Sequence, residues 1–229
     1  MKIQKKNDYK CIFFGKKNDL QSLEAIKYLK RYYKKVDTVL NANVIGEKIN
    51  FKKYTGYDLV FSFKTKLIFP EYFLKSTKKY NINFHPALPK YPGSGGGAWA
   101  ILNNDKFSGT TVHFINKKID HGKIFLVKKF RIKKNINIED IIYKNNQNQL
   151  KVFKYVVANL LKKDWLNNQM NNKKKIKWKS NDIKIAKLNK IRKINNGISK
   201  KKLLKIIRAT NYGKFKPYIE LHGYKFYLG

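Results

Sequence analysis

The sequence predicts an α/β fold, with a mixed, largely parallel sheet and a short C-terminal helix and hairpin extension. Three observations lead there. Short apolar runs of strand type alternate with segments whose apolar residues recur at helical spacing. The 229 residues are 42% hydrophobic, ample for a core in one large domain. The tail reads as a short helix, KKLLKIIRA, followed by a hairpin, YIELHGYKFYLG, turning at His222 and Gly223.

The elements follow in order. YKCIFFG is a buried first strand, and DLQSLEAIKYLKRYYKKV a helix with Asp19 as N-cap and Leu20, Leu23, Ile26, Leu29 and Tyr33 at helical spacing. TVLNANV and DLVFSF are further strands, separated by the polar stretch IGEKINFKKYTGY. PEYFLKST supplies one or two helical turns opening at Pro70, YNINF the next strand, and GAWAILNN a short helix. GTTVHFI and GKIFLVKKFRI are strands joined by the turn NKKIDHGK. From NIEDII to about Trp165 the pattern is helical, with Leu150, Phe153, Val157 and Leu160 as an apolar stripe. The polar, aperiodic run NNQMNNKKKIKWKSND then reads as a surface linker. The expected division is a main unit over residues 1–170, a linker over 171–182 and a small extension over 183–229.

The 52 Lys plus Arg against 14 Asp plus Glu give a net charge of +38, a field that attracts nucleic acid, anionic lipid or phosphorylated substrates. The excess is mostly Lys and travels with abundant Asn and Ile, residues with A/T-rich codons, so solvated lysines account for much of it. Residues 151–229 hold 22 basic and 3 acidic side chains and are the more basic part. One cysteine, Cys11, within an apolar run, fits a reducing compartment and a core thiol. No segment approaches the roughly 20 apolar residues of a membrane span, and the start of the chain does not read as a signal peptide. The expectation is a cytoplasmic protein.

The stretch NINFHPALPKYPGSGGG, residues 81–97, carries the chemistry. Gly93 to Ala98 satisfies a G-x-G-x-x-A dinucleotide pattern, but such a fingerprint follows its strand directly, and here a nine-residue run from His85 to Gly93 intervenes. His85, His113, Asp120 and His121 are all zinc-ligand types, without H-x-x-x-H or C-x-x-C spacing, and no metal is expected. A third reading joins Asn83, His85 and Asp120. Asn83 and His85, two apart on a strand, point to one side, and sheet pairing can bring Asp120 beside them. An amide donor, an imidazole and a carboxylate suit an acyl transfer in which an amine attacks a carbonyl. Asn83 can donate to the developing oxyanion, an effect of roughly 10² to 10³ in rate. His85, of a type with pKa near 6.5, can exchange protons, worth about 10² to 10⁴, and Asp120 can orient the ring or accept a proton. Proline fixes the path of the following loop, and glycine permits close approach.

The run N-x-H-P-x-L-P-x-Y-x-G, followed by G-T-T-V-H-F-I-x-x-x-I-D-x-G-x-I, resembles the signature of the N10-formyltetrahydrofolate-dependent formyltransferases. The likeness is most specific over residues 57–127 and implies a Rossmann-like catalytic fold. It also implies that Asn83, His85 and Asp120 are the catalytic trio. Ala87 stands where members often carry Ser. By the resemblance the donor is N10-formyltetrahydrofolate, met by Phe61, Ser62, Phe63, Lys64, Thr65 and His113, with Lys64 and Lys66 near its anionic tail. Lys90, Tyr91, Gly93, Gly95 and Trp99 are expected on the acceptor side.

The acceptors familiar in that family are methionyl-tRNA, glycinamide ribonucleotide and nucleotide-linked amino sugars. About 60 residues follow the main unit, fewer than the tRNA enzymes' C-terminal barrel, and the tail resembles the helix and hairpin of sugar formyltransferases. A nucleotide-linked amino sugar is therefore the expected partner, with nucleic acid and membrane not expected and a homodimer open. A non-catalytic RNA-binding domain is the competing class, motivated by the charge.

Overall fold

The computed structural model describes residues 6–42, 44, 46–171, 176–179, 185–213 and 215–228. Of the expected linker, residues 172–175 and 180–182 lie outside the described residues. Strands β1 (Asn7–Lys16), β2 (Tyr33–Asn41), β3 (Leu59–Phe63), β4 (Tyr80–His85), β5 (Phe107–Phe114) and β6 (Ile124–Arg131) form one sheet in the order β2-β1-β3-β4-β5-β6. The pairs β1–β2, β1–β3 and β3–β4 are parallel, whereas β4–β5 and β5–β6 are antiparallel. This is the mixed, largely parallel α/β sheet that the sequence predicts. Strands β7 (Tyr218–Leu221) and β8 (Tyr224–Tyr227) make the terminal hairpin, turning through His222 and Gly223 with positive φ.

Helices α1 (Leu20–Tyr32) and α4 (Ile138–Leu160) cover one face of the sheet. Asp19 caps α1 as expected, its carboxylate accepting from the Ser22 N–H at 2.8 Å. The buried side of α1 is Ser22, Ala25, Ile26 and Leu29, whereas Leu20 and Leu23 are exposed. Tyr33 belongs to β2, because Tyr33–Asn41 pairs in parallel with β1 and the ladder claims residues that helical spacing alone would add to α1. The apolar stripe of α4 packs as predicted, with Leu150, Phe153 and Val157 in the core. That helix ends at Leu160, and α5 (Trp165–Asn171) is a separate element entered through Asp164 at φ 58°.

The opposite face holds Ile12, Phe14 and Val60 against Phe51, Phe69 and Phe73. Phe51 opens a short 3-10 helix, Phe51–Tyr54, inside the polar stretch between β2 and β3, and Phe73 lies on α2 (Glu71–Ser76). A third cluster joins α3 (Gly96–Leu102) and the start of α4 to α6 (Ile185–Arg192) and α7 (Lys200–Thr210) through Ala98, Ile101, Ile141, Leu188 and Ala209. The C-terminal helices thus share a core with the main unit. Among the described residues, no helix is long and apolar enough to cross a membrane.

Strand alternation sorts the sheet's central residues. Phe61, Phe63 and Phe84 enter the α1/α4 core around Phe153, which touches all three rings and Phe13 at centroid distances of 5.0–5.8 Å. Ser62, Asn83 and His85 therefore point the other way. Replacing the fully buried Phe153 by Ala is expected to cost about 3–5 kcal/mol of stability, read as a lowered urea midpoint with little change in slope.

Candidate active site

The site is built on one row across three strands. Ser62 of β3 pairs with Asn83 of β4, which pairs with His113 of β5, while His85 lies opposite Thr111. The row is hydrogen-bonded through its side chains. Ser62 Oγ donates to Asn83 Oδ1 at 2.7 Å, and Asn83 Nδ2 lies 3.0 Å from His113 Nε2. His113 Nδ1 faces the Phe114 carbonyl at 2.8 Å, and a carbonyl only accepts, so that nitrogen carries a proton. The facing Nε2 accepts from Asn83 in the neutral ring. It also lies 3.4 Å from Asp120 Oδ1.

Asp120 comes from the turn after β5 and adopts φ 48°, a left-handed conformation that Asp tolerates better than most residues. Its carboxylate gathers three donors: Asn83 Nδ2 at 3.3 Å, the Gly93 N–H at 2.9 Å and His85 Nδ1 at 3.2 Å. The other His85 nitrogen, Nε2, donates to the Tyr91 carbonyl at 2.8 Å. Both nitrogens of a buried His85 thus meet acceptors, an arrangement that fits the doubly protonated ring. Burial pulls the His85 pKa down, but the Asp120 charge and hydrogen bond, with the Tyr91 carbonyl, outweigh it and hold the pKa above its ordinary value. Burial likewise pushes the Asp120 carboxyl up, but the neighbouring His85 charge and the hydrogen bond from His85 hold it well below the usual carboxylate range.

The glycine-rich loop sets these contacts. Its Tyr91 carbonyl and Gly93 N–H fasten His85 and Asp120, and a Cβ on Gly96 would stand 2.4 Å from that of Ala87. The turn carrying Asp120 is pressed onto β5 so closely that a Cβ on Gly122 would lie 1.5 Å from the Phe114 carbonyl oxygen.

Around this cluster opens a cleft of about 630 Å³. Ser62, Lys64, Thr65, Asn83, His85, Gly93, Gly95, His113 and Asp120 all line it, and so does Lys66. Five other residues that the sequence places at the site do not. Phe61 and Phe63 lie on the opposite parity of β3, wholly inside the core. Lys90 turns to Asp105 at 2.6 Å, and the buried Tyr91 side chain joins Asp105 and Asn103, so Tyr91 serves through its carbonyl alone. Trp99 packs in the α3 cluster. Lys64 lines the cleft, with its ammonium donating to Asp19 at 2.6 Å and Gln21 at 2.7 Å.

Other lining residues carry no signal of their own in the sequence. Ile68 and Ile119 stand 62% and 58% exposed at the cleft, apolar surface awaiting cover. Gln149 of α4 donates to the Phe84 carbonyl while its buried Oε1 has no hydrogen-bond partner among the described residues. Leu188, Arg192, Tyr212 and Phe215 arrive from the C-terminal segment. The expectation of a surface linker fails at Trp178, whose half-buried indole rests against His85 and His113. A lone Trp in a run of Lys and Asn was the available signal. Among the described residues, no group of three or more His, Cys, Asp or Glu is placed to hold a metal ion.

Residues 33–157 match the family described as formyl transferase. GDP-perosamine N-formyltransferase of Brucella melitensis biotype 1 is 33% identical over 76 residues, 33% of this chain and 29% of that protein. The chain spans less than half the length of the curated relatives it matches. In fold it is similar to a sugar N-formyltransferase from a Shewanella species, with TM-score 0.75, 21% identity and 96% of both chains covered. It is also similar to an N-formyltransferase from Helicobacter canadensis solved with folinic acid and dTDP-3-aminofucose, with TM-score 0.65, 22% identity and 95% and 86% covered.

The raised His85 value means that the fold holds a proton which the unfolded chain releases first. Its stabilisation is full below the ordinary histidine value and is lost as pH rises through the folded value. In an NMR titration His85 should have its midpoint above about 6.5, and Asp120→Asn should bring it below, because burial is then opposed by the Tyr91 carbonyl alone. A midpoint unmoved by Asp120→Asn would contradict the pairing.

Proposed function

The chain belongs to the formyl transferase family, and on that premise we propose that it moves a formyl group from N10-formyltetrahydrofolate to the amine of a nucleotide-linked amino sugar. The observation that carries the reading is the meeting of Asn83, His85 and Asp120 around one carboxylate at the floor of the cleft. The lining suits both substrates. Leu67, Ile68, Phe69 and Ile115 offer apolar surface to a flat heterocycle. Lys66, Lys117, Lys118 and Arg192, against Asp120 as acidic lining, favour an anionic tail or a diphosphate. Gln149 Oε1 is a buried acceptor in need of an N–H or O–H, which an amine or sugar hydroxyl provides.

The bound donor supplies an electrophilic formyl carbon. Asn83 Nδ2, held in orientation by Ser62, gives up its long contact with Asp120 to stabilise charge developing on the carbonyl oxygen. The His85–Asp120 pair holds one proton between two buried groups. Protonated His85 gives a proton to the departing nitrogen, and the pair is restored by the proton that the attacking amine loses.

The deciding assay incubates the protein and formyl donor with a panel of nucleotide amino sugars, glycinamide ribonucleotide and charged methionyl-tRNA, read by mass for one added formyl group. Product from a nucleotide sugar is expected; product from tRNA or the ribonucleotide alone would reassign the acceptor, and none from any would remove the activity. Asn83→Ala should lower kcat by about 10² to 10³ with the melting temperature retained, and His85→Ala should lower kcat by about 10² to 10⁴ and also lower the melting temperature, because Asp120 loses its cation. Gln149→Leu should raise KM for the acceptor by roughly up to tenfold, leaving the donor's KM unchanged.

A further inference from the structure

Two adjacent residues of the C-terminal segment engage both loops of the site. Trp178 Nε1–H donates to the Gly122 carbonyl at 2.8 Å, two residues beyond Asp120. The Lys179 N–H donates to the Pro89 carbonyl at 3.0 Å, within the loop whose Tyr91 carbonyl and Gly93 N–H fasten His85 and Asp120. The indole stands nearly perpendicular to His85, with centroids 5.5 Å apart at 74°, and to His113, 5.0 Å apart at 90°. Over His121 it lies nearly parallel, at 6.5 Å and 27°.

We propose that Trp178 is a positioning residue, a clasp by which the C-terminal segment fastens the two catalytic loops together and seats His85 against Asp120. The inference rests on the formyl-transfer reading of this site. Its anchor is rigid. Phe114 N–H donates to the Lys123 carbonyl at 3.0 Å, and Gly122 has no room for a side chain, so the carbonyl that receives the indole is fixed by the end of β5. The groups facing His85 are the Asp120 carboxylate, the Tyr91 carbonyl and the indole, with His113 on the indole's other contact. Among them the indole is the apolar member. It keeps water from the ion pair, which strengthens their attraction.

The test compares Trp178→Ala, Trp178→Leu and Trp178→Phe with the unaltered protein. Melting temperature, the His85 ring titration by NMR, assigned by its loss in His85→Gln, and the kcat and KM of formyl transfer are read for each. Trp178→Ala should lower the His85 midpoint by roughly half a pH unit and kcat about tenfold with KM little changed. Trp178→Phe, which keeps a ring face but not the N–H, should retain most of the midpoint. Trp178→Leu, apolar and larger than Ala, carries the same expectation as Ala if the alanine chain does not fold. An unmoved midpoint and kcat in a folded Ala or Leu variant overturns the clasp. Absence of any formyl transfer by the unaltered protein, with the midpoint still shifting in the variants, overturns the reaction and leaves the clasp standing.

Discussion

One largely buried carboxylate organises the centre of this molecule. Asp120 ties together three separate pieces of chain: a strand through Asn83 and His85, a glycine-rich loop through Gly93, and the turn that carries Asp120 itself. A charge in such a place is costly unless paired and hydrogen-bonded, so the partners are obligatory. Much of the local architecture answers that need. The left-handed backbone at Asp120 and the glycine at 122 bring the turn against β5, and the Tyr91 carbonyl holds the far side of His85.

The scaffold beneath is a matter of parity. On β3 and β4 Phe61, Phe63, Ile82 and Phe84 are committed to the core around Phe153, and Ser62 and Asn83 between them form, with His113 of β5, a polar row in register across three strands. Core packing and site geometry are the two faces of the same residues' spacing. A slip of one residue would bury the amide and the imidazole in the aromatic core. The aromatic cluster thus holds the register on which the amide's orientation depends.

The crevice where strand order reverses, between β1 and β3, is the usual place for a ligand in an open α/β sheet. Here Lys64, at φ 56°, crosses from the end of β3 to Asp19 and Gln21 at the start of α1 and occupies that ground. The open cleft lies instead over the ends of β3, β4 and β5, where antiparallel β5 delivers His113 and the Asp120 turn. Its remaining wall is borrowed from helices and loops far along the chain, including Leu188, Arg192 and Tyr212.

Much of this is legible in the chain before any fold is drawn. The alternation of strands and helices, the Asp19 cap and the α4 stripe are local or periodic signals, carried by a few neighbouring residues, and Asn83 and His85 share a side of β4 by spacing alone. Where local patterns compete with long-range pairing, the sequence misleads: β2 takes Tyr33 from the helix because its ladder with β1 outweighs helical spacing, and Leu20 and Leu23 are left exposed. Phe61 and Phe63 cannot share the cleft with Ser62, because an extended strand does not aim consecutive side chains at one side. The residue types and spacing of the amide, imidazole and carboxylate were determined by the chain itself. That Trp178 and Gln149 stand around them was decided only in three dimensions, because contacts between residues tens of positions apart leave no period in the sequence and arise only when the packed sheet brings its loops together.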